Sequence, residues 1–331
     1  MEINASSLWP DPTIKIGHAT DFKALTGCTV VLAEEGAVGG VDVRGSAPGT
    51  RETDLLHPLK HVPKVHAILL TGGSAFGLEA ASGVMCWLEE KKIGHDTSVA
   101  RIPIVPAAVL YDLGIGDPTS RPDKKMGYLA CQNANNGPVT EGNIGAGTGA
   151  VVAKFFGTKN GFKGGLGFWQ EKLGQDLVVS ALVAVNAIGD ILDEKGRVLA
   201  GPRDAKSGKM LSTLDILKKM AARGETLEVA PYHTLDCQNT TLAVIITNGH
   251  LNKEETNKVA QMAHDGLARS ISPVHTMFDG DVVFTLATGK VKTDVTIVGA
   301  VAAEVTATAI RRAVRIARSA GGIPAVTDIN R

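Results

Sequence analysis

The chain has 331 residues, with Lys plus Arg and Asp plus Glu both at 34, so its formal net charge is zero. No overall field favours nucleic acid, an anionic membrane or a highly charged substrate, and a small, weakly charged ligand is expected. Gly at 38 residues with aromatics at only 4% implies many tight turns around an aliphatic core, the mixture of an α/β enzyme.

Cys28, Cys86, Cys131 and Cys237 lie far apart with no C-x-x-C pair. That excludes a zinc knuckle and a dense disulfide framework, and it fits reduced thiols in a cytoplasm. Met1 to Pro12 has neither a basic start nor a continuous apolar stretch, against a signal peptide. No apolar run approaches the ~20 residues needed to span a bilayer. A cytoplasmic protein without metal, cofactor or membrane partner is therefore expected.

In chain order, Thr29–Ala33 and Ala37–Val43 read as two strands flanking the turn-prone Glu34-Glu35-Gly36, a hairpin. His66–Leu70 is a third buried strand, followed by the loop Thr71-Gly72-Gly73-Ser74 and a helix over Ala75–Lys92, where Leu78, Ala81, Val84, Met85 and Leu88 recur at helical spacing. Ile102–Gly149, rich in Pro, Gly and Asn, reads as long ordered loops of the kind that serve a site. Val178–Val185 is an apolar strand. The polar stretch Asp193–Gln238 reads as a surface linker with one helix near Met210–Ala222. Thr240–Thr247 is β-branched and apolar, as a buried strand should be, so Thr240 stands at a loop-to-strand junction. A helix over Lys253–Ser270, a strand around Val282–Ala287 and a long helix from about Thr293 to Ser319 complete the chain.

Chemistry centres first on Asn239-Thr240. A threonine hydroxyl placed just after a peptide carbonyl can attack it, turning the amide into an ester that water opens. The amine so released has a reference pKa of ~7.7–8.0 and can serve the same hydroxyl as its base. Taken alone, the dipeptide reads first as a turn leading into a strand. Gly72-Gly73-Ser74-Ala75-Phe76-Gly77 misses the G-x-S-x-G spacing of a nucleophile elbow, which makes Ser74 a helix N-cap. Gly145-Ala146-Gly147-Thr148-Gly149 lacks the spacing of a nucleotide loop, and His57 with His61 forms no metal motif.

Gln238-Asn239-Thr240-Thr241-Leu242-Ala243-Val244 resembles the processing site of the self-cleaving DmpA-type aminopeptidase and NylC-type nylon-oligomer hydrolase family. Ile16–Thr20, Leu70–Leu78, Val105–Asp112, Gly145–Ala150, Phe162–Gly167, Val185-Asn186 and Phe278–Asp281 continue the resemblance in order. It implies a four-layer αββα sandwich of the N-terminal-nucleophile-hydrolase type. It also implies a single domain cut into 1–239 and 240–331, and a homotetramer of such pairs acting on a small amide or peptide.

By the same resemblance, Thr240 is the nucleophile, while Tyr111 and Asn186 polarise the scissile carbonyl and hold the oxyanion. Their residue-level alternatives are a packed loop tyrosine and a turn former. Asp279 and Asp281, two apart and on one side of an extended segment, orient and tune the new amine; their alternative is a turn before Val282. Lys163 matches the active-site lysine, with Lys154 and Lys159 as solvated surface residues. The competing functions are a small-ligand binder built on the glycine loops and an α/β-hydrolase using Ser74.

Overall fold

A computed structural model of the chain describes residues 11, 13–174, 176–227 and 238–329. Strands β1 (Ile14–Asp21), β2 (Thr26–Val43), β3 (Val65–Thr71) and β4 (Ala107–Val109) form one sheet, in which β1 and β3 run antiparallel to β2 and β4 runs parallel to β3. Strands β5 (Gly165–Leu173), β6 (Leu177–Val185), β7 (Leu242–His250) and β8 (Val282–Lys292) follow one another across a second sheet, with β8 pairing back onto the end of β2. The helices are α1 (Ala80–Glu90), α2 (Lys124–Gln132), α3 (Thr213–Ala222), α4 (Lys253–Ser270), α5 (Val295–Ile316) and the short α6 (Val326–Ile329).

The period-two alternation of the strands builds the layers. Val31, Ile68, Leu70, Leu182, Val244 and Phe284 point into one apolar core between the two sheets. Their neighbours Val30, Leu32 and Leu69 pack outward against Ala80, Val84 and Leu88 of α1. Val183, Ile245 and Val283 pack the other way, against Val259 and Leu267 of α4 and Val305 and Ile310 of α5. The result is helix, sheet, sheet, helix: the expected αββα sandwich.

The hairpin expected at Glu34-Glu35-Gly36 does not form, because Thr26–Val43 is one strand of 18 residues. Its register against β3 shifts between Leu32 and Ala37, with Gly36 at φ 74°. That irregularity bends the strand from one sheet into the other, where a hairpin would have reversed it. The loop expectation over Ile102–Gly149 misses α2. Gly127 sits inside this helix because a Cβ there would lie 1.9 Å from Ala80 O, and Gly83 of α1 is needed against Lys124 O at 1.8 Å. Glycines that permit close helix contact also depress helix propensity, which masks the element in the sequence.

The helix expected from Ala75 opens instead with a 3-10 turn over Ser74–Glu79 before α1 begins. The supposed linker is partly built into the fold. Strands Asp190–Leu192 and Val198–Ala200 pair, and Ile216, Leu217 and Met220 of α3 pack on Phe155 and Ile188. Residues 228–237 of that stretch lie outside the described residues. The Lys253–Ser270 helix has the expected bounds and carries a capping box between Asn252 and Glu255.

Where β2 crosses α4, a Cβ on Gly40 would lie 2.4 Å from the Thr256 carbonyl carbon. Gly40→Ala is expected to lower the unfolding free energy by about 1–3 kcal/mol through overpacking against backbone. A urea midpoint indistinguishable from wild type would contradict this contact.

Candidate active site

The parallel pairing of β7 with β8, Leu242 opposite Val282, continues towards the strand starts as a bridge between Asn239 and Asp279. Gly280 N–H donates to Asn239 O at 2.8 Å, and Val282 N–H donates to Thr241 O at 3.1 Å. Thr240 thus runs beside Gly280, where a Cβ would lie 2.7 Å from Thr240 Oγ1. On the other flank, Thr240 N–H donates to the main-chain carbonyl of Asn186, just past the end of β6, at 2.8 Å. The Thr240 hydroxyl donates to Asn239 O at 2.6 Å. Hydroxyl and adjacent carbonyl are held together by backbone on both sides, and both residues are buried.

Both acidic residues lie in this frame. Asp281 Oδ1 accepts Thr241 N–H at 2.7 Å, and Oδ2 accepts from His275 Nδ1 at 2.8 Å. Asp279 Oδ2 accepts Thr276 N–H at 2.9 Å and its hydroxyl at 2.6 Å. Burial, and then the neighbouring Asp281 charge, push the Asp279 carboxyl up to about 6. His264 stacks edge-on to His275, ring centroids 4.7 Å apart. Burial holds His264 down to about 4, so its 3.5 Å approach to the Asp42 carboxylate is a contact of neutral imidazole at neutral pH, not an ion pair.

Asn186 is wired to three partners. Its Oδ1 accepts Val151 N–H at 3.1 Å and Lys154 Nζ at 2.8 Å, and its Nδ2 donates to the Tyr111 carbonyl at 3.0 Å. Lys154 also donates to Gln238 O at 3.3 Å. It is buried, which corrects the reading of Lys154 as a solvated surface residue. The flanking Val151-Val152-Ala153 and Phe155-Phe156 were the sequence signal, because a lysine inside an apolar run is carried inward with it. Lys163, fully buried, donates to the carbonyls of Thr148 at 3.0 Å and Ala150 at 2.5 Å. Burial lowers its ammonium to about 7 against the opposing pull of Asp112. Lys163 therefore stands behind the glycine loop, while Lys154 reaches the strand ends.

A cavity of about 140 Å³ opens on Thr240, walled by Ala47, Pro48, Gly49, Ser74, Ala75, Val109, Tyr111 and Phe278 together with Gln238 and Asn239. Two larger surface hollows, beside Lys92–Arg101 and Gly321-Gly322, share no lining residue with it. Ser74 is not an N-cap: Gly73 takes that place and no side-chain cap bond forms. Ser74 has φ 54°, its turn held by Gly73 N–H donating to Asp112 Oδ1 at 2.7 Å. His275 shapes the site without having been named from sequence, while Asp112 and Gly280 stand there only inside longer segments with no role of their own and Lys154 reads as solvated. Among the described residues, no cluster of three or more His, Cys, Asp or Glu is set to hold a metal, and no helix is long and apolar enough to cross a membrane.

Residues 12–327 match the model of peptidase family S58, and the chain belongs to that family. An uncharacterised aminopeptidase of Mycobacterium leprae is 40% identical over 95% of this chain and 88% of its own. A 6-aminohexanoate-oligomer endohydrolase of Paenarthrobacter ureafaciens is 32% identical over 89% and 82%. The solved L-aminopeptidase D-Ala-esterase/amidase of Ochrobactrum anthropi, described as a variant of the Ntn hydrolase fold, superposes with a TM-score of 0.68 at 18% identity, over 94% and 86%. The protein is thus an amide-bond hydrolase on an Ntn-type fold, which sets aside the reading of a non-catalytic binder.

A carbon-13 titration of the Asp279 carboxyl should give a midpoint near pH 6, above the usual ~3.9. Asp281→Asn should lower that midpoint by removing a like charge, while burial keeps it above the usual value. An unchanged or higher midpoint would refute the coupling. Since the folded chain binds this proton more tightly than the unfolded one, the group's contribution to stability is full below ~pH 4 and fades as pH rises through about 6.

Proposed function

We propose that this S58 hydrolase activates itself by cutting between Asn239 and Thr240, and that Thr240 then serves as its N-terminal nucleophile. The observation that carries this reading is the 2.6 Å contact between the Thr240 hydroxyl and Asn239 O, with the same carbonyl oxygen held at 2.8 Å by Gly280 N–H. Attack of Oγ1 on the carbonyl carbon puts negative charge on an oxygen that already faces a donor. The C–N bond breaks, the hydroxyl proton ends on the released Thr240 amine, and water opens the ester to leave Asn239 as a carboxylate. In turnover the free amine takes the Oγ1 proton, the substrate acyl group joins Oγ1, its amine leaves with the proton, and water frees the acid.

On this reading Asn186 and Tyr111 shape the oxyanion side, Asp279 and Asp281 hold the strand ends and tune the amine, and Lys154 supports Asn186. Lys163 takes a supporting place behind the loop. The small apolar walls Ala47, Pro48, Gly49, Ala75 and Val109 suit a slim acyl chain on a small amide or peptide. The fragments 1–239 and 240–331 stay together because β7, which begins the smaller one, lies between β6 and β8. We place the working form in the cytoplasm as a homotetramer of such pairs, a setting in which the free thiols of Cys28, Cys86 and Cys131 stay reduced.

N-terminal sequencing of purified protein should find a second chain beginning at Thr240. Thr240→Ala should abolish both the cut and the hydrolysis of linear 6-aminohexanoate oligomers and L-amino acid amides, while Ser74→Ala keeps the cut. A single unbroken, active chain would refute the reading, and loss of activity in Ser74→Ala with retention in Thr240→Ala would transfer the role to Ser74. Gly280→Ala, whose Cβ would displace Thr240 Oγ1, should slow self-cleavage by ~10²-fold; a rate near wild type on a pulse-labelled time course would contradict that fit.

A further inference from the structure

We infer that His275 is a positioning residue for Thr240, acting through Asp281. The inference rests on the self-cleavage reading and extends it to a residue outside the acidic pair. Asp281 is almost fully buried, and both its oxygens are bound. Oδ1 takes Thr241 N–H at 2.7 Å, which pins the peptide immediately after the nucleophile. Oδ2 takes the His275 ring at 2.8 Å and the His275 main-chain N–H at 3.3 Å. Each oxygen already accepts a main-chain N–H, so the ring nitrogen facing Oδ2 is assigned as a further donor, with its proton on Nδ1.

The backbone supports this donor. His275 has φ 54°, a left-handed conformation uncommon for a residue with a Cβ. That conformation brings the main-chain N–H and ring Nδ1 of one residue onto one carboxylate oxygen. His264, itself fully buried at its side chain, closes the far side by edge-on contact, and its Nε2 lies 3.1 Å from Asp42 O. Neither His275 Nε2 nor His264 Nδ1 has a hydrogen-bond partner among the described residues. The order of contacts is therefore His264, His275, Asp281, Thr241 N–H, then Thr240. Without the Nδ1 donor, Asp281 Oδ2 keeps only the longer contact with the His275 main chain, so the carboxylate is less firmly held on the Thr241 amide, one of the hydrogen bonds that fix the chain around Thr240.

The test uses the fact that an asparagine Nδ2 stands near the place of imidazole Nδ1 and tolerates left-handed backbone, whereas a glutamine Nε2 stands near imidazole Nε2. Full-length wild type, His275→Asn, His275→Gln and His275→Ala are pulse-labelled in cell-free translation, and the first-order rate of appearance of the 240–331 fragment is measured. His275→Asn is expected within a few-fold of wild type, with His275→Gln and His275→Ala slower by about 10- to 100-fold. Equal rates for the Asn and Gln variants, or an Ala variant as fast as wild type, would overturn the inference.

Each substitution is also placed in the uncut Thr240→Ala chain, and the Thr241 amide proton shift is read by NMR. The carboxylate-bonded downfield position should be kept with Asn and lost with Gln; retention in both would equally overturn the inference. Absence of any cut in wild type itself would instead count against the self-cleavage reading, so the two failures are told apart.

Discussion

The parallel pairing of β7 with β8 is the constraint on which the site depends. Once Leu242 lies opposite Val282, residues 40 apart in sequence are neighbours as far as Thr247 opposite Ala287, and the same offset holds back through the strand starts. Asn239 is then carried beside Asp279, Thr240 beside Gly280 and Thr241 beside Asp281. Thr240, the nucleophile of the proposed reaction, is positioned by main-chain hydrogen bonds to its strand neighbours, not by a loop free to wander, which is how a fold can hold groups at short range before any substrate arrives. Antiparallel β6 adds the second flank, so Thr240 is tied on both sides.

That placement concentrates polar groups where water is scarce. Asp112, Lys154, Lys163, Asn186, Asp279 and Asp281 are all buried, and an unpaired charge in such a place is costly. The fold answers with donors and acceptors of opposite character. Asp112 receives Thr26 Oγ1 and Gly73 N–H, Lys163 faces two carbonyls, and Asp281 receives an amide and an imidazole. Burial displaces the Asp112 and Asp279 carboxyls upward, and the like-charged Asp281 beside it adds to the rise at Asp279. A second negative charge beside a buried carboxyl makes its ionisation costlier, which is the effect felt at Asp279.

Gly280 joins packing to chemistry. Its missing side chain makes room for Thr240 Oγ1 and Ala47 O, and its N–H meets the Asn239 carbonyl. The glycine is required there by proximity of other atoms and not by a special backbone angle. Gly83 and Gly127 do the same for the α1–α2 contact, at the expense of helix propensity.

The strong apolar alternations at Val178–Val185 and Thr240–Thr247 and the amphipathic run Lys253–Ser270 were legible in the sequence, because local periodicity alone decides which face is buried. So was the place of Asn239-Thr240 just before a buried strand, because the β-branched apolar run starts there. Long-range partners were not. That β2 bends instead of turning depends on strands hundreds of residues away competing for its second half. Likewise, Lys154 reaches Asn186 while Lys163 turns to a glycine loop, and His275 meets Asp281, because sheet register and helix packing bring them there. Sequence determined the kinds of element and the adjacency of a hydroxyl and a carbonyl at Asn239-Thr240; tertiary structure decided which lysine, which glycine and which imidazole stand near that dipeptide, because hydrogen-bond reach is a property of space and not of spacing along the chain.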